Sequence, residues 1–374
     1  MATRGAPPPL PRLERQASPA SRQAASTAHH RAETFRALDL TEIITSGISG
    51  TSAAHGSCDN SAQGAATIVL ITGASGFIGG AIAERVLDRS RVRSLTGHPE
   101  RNRFGGRVQS VAYDFDAPHR MAQAFEGAEV FVNSYYVRFP KAGATYQQAV
   151  ERSRVLVGLA RDAGVKKIVH ISVSNADETS DLPYYRNKGR IERLVRESGI
   201  AYTILQPAIV VGPGDILVNN IAYFLRRLPV FTVFGGGSYR VQPMMQEAFT
   251  AVVLEAIEGA HANETVAVAG PRDWTFLEMV RAVRDAVGSR AALVHAPAWA
   301  ALPGLKIAGT LLGDVVLTGD EIKGLTREYL CSRQPLRRGS DLSEWLSRPE
   351  VASSLGARYV SELARRVSPP APAP

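Results

Sequence analysis

With 374 residues and 45% hydrophobic side chains, the chain is long enough for one large α/β domain and a smaller companion. Two cysteines, Cys58 and Cys331, are too few and too far apart for a disulfide framework or a zinc site, so no metal is expected. The formal net charge of +8 comes from scattered arginines, with no basic block interleaved with aromatics, which argues against nucleic-acid binding.

Residues 1–65 are rich in Ala, Ser, Arg and Pro and lack a sustained period, a composition that cannot build a core. In its first part, residues 1–31, Arg4, Arg12, Arg15, Arg22 and Arg31 stand against one acid, Glu14, and Pro7, Pro8, Pro9 and Pro11 oppose a continuous helix. The segment reads as a disordered or targeting-like extension. A cytoplasmic protein is expected, or an organelle-matrix protein if the extension is a transit peptide.

Order is expected from Thr67. Thr67–Thr72 is a short β-branched strand of the kind buried on both faces of a parallel sheet, followed by a Gly-rich turn and a helix from Phe77 to about Asp88. Strands follow at Arg91–Thr96, Val108–Tyr113, Val130–Asn133, Lys167–Val173 and Ala201–Leu205, with helices at Thr145–Ala163 and Tyr184–Ser198. This alternation predicts a doubly wound parallel sheet over residues 66–212. Beyond Gly212 the pattern loosens: a helix at Ile216–Arg227, a Gly-rich β segment Val230–Val241, helices at Glu247–Glu258 and Phe276–Val287, and a strand Thr265–Ala269. Residues 213–368 are expected to form a smaller lobe closing over the core, and 369–374 a Pro/Ala tail. The most apolar window, Trp299–Leu317, is broken by Pro303, Lys306 and Asp314. It falls short of the roughly eighteen apolar residues a membrane span needs and reads as a partly buried helix.

The segment Thr72–Gly80 (TGASGFIGG) places G-x-x-G-x-x-G between strand and helix. Gly73 lets the chain turn out of the strand, Gly76 lets main-chain amides approach a pyrophosphate, and Gly79 lets the helix pack closely. Ser75, Phe77 and Ile78 are cofactor contacts with them, at a helix N-terminus that favours negative charge. The second strand ends Thr96-Gly97-His98 with no acid to hold a ribose 2′-hydroxyl, and Arg101 and Arg103 follow, so NADP(H) is preferred over NAD(H). His98 and Arg101 are candidate contacts at that end, and Asn133, closing the fourth strand, is another.

Tyr184 and Lys188 form Y-x-x-x-K, and residues four apart share one helix face. A nearby ammonium favours the phenolate and moves an otherwise poor acid–base group into a useful range. Ser172 and Ser174 both offer a hydroxyl at the preceding strand end, and Ser174 is preferred for its place at the tip. Lys188 can also hold the nicotinamide ribose.

These motifs, with Asp114-Phe115-Asp116 after the third strand, KKIVHISVSNAD at 166–177 and the run at 183–212, resemble atypical and extended short-chain dehydrogenase/reductases over residues 67–270. They are similar to NmrA-like and NAD-dependent epimerase/dehydratase proteins and to the nucleotide-binding accessory subunit of respiratory complex I. The resemblance implies that Asp114 accepts from the adenine amino group, that the Phe115 amide contacts the ring, and that Ser174, Tyr184 and Lys188 act together. Two departures stand out. Gln206-Pro207 replaces an Arg-Pro pair, and Tyr135 stands where relatives place a small residue beside the nicotinamide. Two functions remain open: an oxidoreductase or epimerase/dehydratase-type enzyme acting on a hydroxyl or carbonyl carbon of an unidentified small molecule, and a non-catalytic NADP(H)-binding sensor or subunit with a protein-complex partner.

Overall fold

The computed structural model describes residues 67–140, 143–297, 299 and 308–361. The N-terminal extension with Cys58, the C-terminal tail and part of the Trp299–Leu317 window lie outside the described residues; 308–312 within that window are helical.

The first half alternates strand and helix. β1 (Ile68–Thr72) leads into α1 (Phe77–Val86), then β2 (Arg91–Thr96), β3 (Val108–Ala112), α2 (His119–Phe125), β4 (Ala128–Asn133) and α3 (Tyr146–Asp162). β5 (Lys167–Ile171), α4 (Pro183–Arg196) and β6 (Ala201–Pro207) complete it. β1 shows why the sheet is covered on both faces. Val69 and Ile71 point into a core with Ile82 and Val86 of α1, while Leu70 points the other way, among Met121, Phe125 and Leu156 of α2 and α3. Successive strand side chains alternate faces, so a continuous apolar run needs helices on both sides. Thr145 caps α3 with a reciprocal Gln148 bond, which is why that helix starts sharply.

The second half follows as β7 (Ile209–Val211), α5 (Leu217–Arg227), β8 (Val230–Phe234), β9 (Arg240–Val241), β10 (Pro243–Met245) and α6 (Gln246–Ile257). Then come β11 (Glu264–Ala269), β12 (Trp274–Thr275), α7 (Phe276–Ala286), β13 (Ala292–Ala296) and β14 (Leu336–Arg337), with short helices at Gly319–Thr326, Leu342–Leu346 and Pro349–Ser354.

Among the described residues the main sheet has eight strands in the order β14-β11-β6-β5-β4-β1-β2-β3, and every pair in it is parallel. Two of its strands come from beyond residue 212: β11 pairs with β6 (Thr265 opposite Ile204), and β14 pairs with β11 (Val268 opposite Leu336). The rest of the second half has its own core, built on Val218, Ile221 and Leu225 of α5, Met279 and Val283 of α7, and Trp345. Strand order reverses between β1 and β4. In an open parallel sheet that reversal opens a crevice at the carboxyl ends of the strands, the usual seat of a ligand.

Candidate active site at the sheet crossover

The glycine-rich turn is held by its own backbone. Gly73 has φ of +67°, a conformation in which a side chain is strained, and its amide donates to the Leu95 carbonyl at 2.7 Å. The Gly76 amide donates to the Gly73 carbonyl at 2.8 Å. A Cβ on Gly79 would collide with that same carbonyl, so only glycine lets α1 approach the end of β1 this closely. α1 begins at Phe77 with no side-chain cap and no acid in its first turn. Its leading amides are thus left for an external anion, as a pyrophosphate requires. Gly76 is exposed, and Ser75, Phe77 and Ile78 are half-buried around it. A tight glycine turn at an uncapped helix start beside the strand crossover fits a dinucleotide.

At the end of β2 the structure shows an acid that the sequence reading passed over. Glu100, on the turn Pro99–Arg101, holds His98 (Nδ1 at 3.1 Å) and lies 3.8 Å from Arg101. A backbone amide and these two neighbours keep its carboxyl below the ordinary range. Arg103 turns back to Glu84 at 3.2 Å and stacks on Phe104. Asp114 is the capping acid of the next turn. Its Oδ1 accepts from the Ala117 amide at 2.9 Å and its Oδ2 from Arg120 at 3.0 Å. Those bonds, the amide foremost, hold its carboxyl below the usual range. Phe115 stacks on Tyr113, at 5.2 Å between centroids, beneath the Arg152 guanidinium.

Asn133 closes β4 fully buried. Its Oδ1 accepts from the Tyr135 amide at 3.1 Å, and its Nδ2 has no hydrogen-bond partner among the described residues. The Asn133 carbonyl accepts from His170 Nδ1 at 3.2 Å. Burial foremost, with Lys188 nearby, pushes His170 down to about 3, so it is a neutral ring at any ordinary pH. Tyr135 does not cover the site: it packs edge-on to Tyr113 and its hydroxyl meets Arg152 at 3.2 Å. Tyr136 packs on the Tyr184–Lys188 pair instead. It lies edge-to-face with Tyr184 at 5.2 Å, donates its hydroxyl to the Tyr184 carbonyl at 3.0 Å, and presents its face to the Lys188 ammonium at 4.4 Å.

Pro183 starts α4 and sets Tyr184 and Lys188 one turn apart on it. Lys188 is buried; its Nζ donates to the Ile171 carbonyl at 3.1 Å. Desolvation pulls its pKa down to about 7, against the opposing pull of Glu192. Glu192 itself is held by Arg196 at 2.6 Å and by Gln206 at 2.8 Å, so Gln206 pairs within the fold at the position where relatives carry arginine.

A cavity of about 370 Å³ brings together Phe77 and Ile78 of the loop helix, Ser172, Tyr184, and Ile216 and Leu217 from the second half. Ser174 is not on it. The chain turns at Asn175 (φ +57°) and carries Ser174 inward, fully buried, where its hydroxyl donates to the Tyr329 carbonyl at 2.6 Å. β5 ends at Ile171, and Ser172 rather than Ser174 borders the cavity, with its own hydroxyl buried. Gln246, also unanticipated, donates to the Phe77 carbonyl at 2.6 Å, and a Cβ on Gly212 would press on its side chain at 2.9 Å.

The parallel sheet, the crossover and the glycine turn make a Rossmann-type α/β fold, similar to that of short-chain dehydrogenase/reductases. Consistent with this, residues 73–215 match the family model described as NAD(P)H-binding. A photosystem II assembly factor, Ycf39, from Cyanophora paradoxa is 27% identical over 37% of this chain, and the match spans 44% of that relative, less than half its length. A ceramide reductase from Caulobacter vibrioides is 25% identical over 66% of this chain and 77% of its own. The NADPH complex of an Escherichia coli NADPH-dependent quinone oxidoreductase has the same fold, with a TM-score of 0.60 at 21% identity over 75% of this chain and 98% of that one. No helix among the described residues is long and apolar enough to cross a membrane.

Proposed function

We propose that the protein is an NADP(H)-dependent reductase acting on a carbonyl carbon. The observation that carries this reading is the single cavity in which the start of the loop helix, Ser172 and Tyr184 meet. A bound dinucleotide would supply the hydride, held where Phe77 and Ile78 meet the cavity. Ser172 donates to the substrate oxygen and orients it. Tyr184 passes its phenolic proton to that oxygen as negative charge develops there. Lys188, as an ammonium one helical turn away, makes the phenol a better acid and steadies the nicotinamide ribose. Ile216, Leu217 and Leu325, from beyond residue 212, form the closing side of the cavity wall.

The preference for NADP(H) is supported by the absence of an acid at the tip of β2 itself and by Arg101 and Arg103 beside it; Glu100 opposes it by occupying His98 and Arg101. The reductase named among the relatives supports the reaction class. Tyr184→Phe is expected to lower kcat/KM by about 10²- to 10⁴-fold while leaving the dinucleotide Kd unchanged. Full activity in that variant would falsify the acid–base role.

A second reading is favoured by Tyr136, whose ring covers the Lys188 ammonium, and by the assembly factor among the relatives. On it the protein binds the dinucleotide without turnover and serves a protein complex. Tight dinucleotide binding, no oxidation of NADPH across a carbonyl panel, and copurification with a partner protein would support it. Either role suits the cytoplasm, or an organelle matrix if the basic N-terminus is a transit peptide.

A further inference from the structure

The cavity at Tyr184 shares a wall with a second one. Arg138, Ile216, Leu217, Leu317 and Leu325 line both, and the second encloses about 290 Å³ between α5 and β8. Its wall is apolar apart from Arg138, Asn220 and Thr232. The Asn220 amide is already engaged: its Nδ2 donates to the Val360 carbonyl at 3.0 Å and its Oδ1 accepts the Val360 amide at 2.9 Å. Arg138 stands at the junction of the two cavities, its Nε on the Glu321 carboxylate at 2.6 Å. Charge is thus confined to the junction, and the space beyond it is hydrocarbon. At the far side Leu228 and Val230 are 48% and 43% exposed, so the cavity opens to the surface there.

Such a space offers a guest apolar transfer and almost no hydrogen bonding, while leaving it empty forgoes the dispersion contacts of its lining. We propose that it is the tail channel of the substrate. The ligand class is a carbonyl compound, or the corresponding alcohol, carrying a long unbranched hydrocarbon chain. Its functional group sits at Ser172 and Tyr184, and its chain passes the Arg138–Glu321 pair and runs between α5 and β8 toward Leu228. This rests on the reductase reading for the chemistry, and on the shared cavity wall for the tail.

The test is a series of straight-chain methyl ketones from butanone to dodecanone, given to the full chain saturated with NADPH. Two signals are read: displacement of anilinonaphthalene sulfonate fluorescence, which reports binding, and loss of NADPH absorbance, which reports turnover. Binding is expected to tighten by about fourfold per added methylene until the channel is filled. Thr232→Phe, which places a ring in the channel away from Tyr184, is expected to flatten the series for long chains and leave butanone unaffected. Turnover with no dependence on chain length overturns the tail channel and leaves the reductase reading standing. Length-dependent binding without NADPH oxidation does the reverse. Absence of both signals overturns both. Should Thr232→Phe fail to fold, the wild-type series alone decides.

Discussion

The two ends of the crevice are built differently. The phosphate end is made of backbone: Gly73, Gly76 and Gly79 shape a turn whose atoms meet each other, and no side chain caps α1. The opposite end is made of side chains brought from distant segments: Tyr136 after β4, Ser172 after β5, Tyr184 and Lys188 on α4, and Leu217 at the start of α5. A backbone site is written locally, because glycine is required where a Cβ cannot fit. A side-chain site depends on which residues the tertiary packing turns inward.

If that contrast is sound, the largest effect should come from the backbone end. Gly79→Val would drive a branched side chain into the Gly73 carbonyl. It is expected to abolish measurable dinucleotide binding and to cost about 1–3 kcal/mol of stability by overpacking, read by calorimetry and thermal melting. A variant that binds like the wild type would show that the close approach of α1 is unimportant.

At the side-chain end, Lys188→Met should reduce turnover by about a hundredfold without lowering the melting temperature, since it removes a cation that is costly to bury. The pH dependence follows from the same group. Its folded pKa of about 7 lies below the ordinary 10.5. Between those values the unfolded chain binds the proton and the folded one does not, so this lysine makes stability rise with pH. Turnover that needs the ammonium should fall across the same pH range. Parallel pH titrations of melting temperature and kcat/KM that move together would contradict this assignment.

The two serines separate position from packing. Ser172→Ala is expected to slow turnover by about ten- to a hundredfold with little change in stability, as for the loss of one oxyanion donor. Ser174→Ala should leave turnover near wild type and cost about 1 kcal/mol, because it loses the bond to the Tyr329 carbonyl. The reverse pattern would return the orienting role to Ser174. The smallest effect is expected at Glu100, where the groups are exposed: Glu100→Gln should improve NADPH affinity relative to NADH by about two- to fivefold by releasing His98 and Arg101. An unchanged ratio would remove Glu100 from cofactor choice.

The same contrast accounts for what could be read in advance. β1, β2, β5 and α1 through α7, except α2, follow the apolar periods closely. α2 escaped notice because it has only seven residues, begins after Pro118 and opens on polar side chains. The Gly-rich segment 230–241 was expected as one β stretch and divides into β8 and β9, because Gly235 and Gly237 take positive φ (+55° and +70°) and turn the chain. β7, β10, β12 and β14 are two or three residues long and exist through their partners, so no local pattern announces them. The inward turn of Ser174 depends on a loop 155 residues away. Tyr136 rather than Tyr135 reaches Lys188 because Tyr135 is claimed by Tyr113 and Arg152.

The most direct measurement is an isothermal titration of the folded full-length chain with NADPH and with NADH, paired with thermal melting. A backbone cradle at Thr72–Gly79 predicts saturable one-to-one heat with at least one dinucleotide and a matching rise in melting temperature. No heat and no melting shift with either would contradict it.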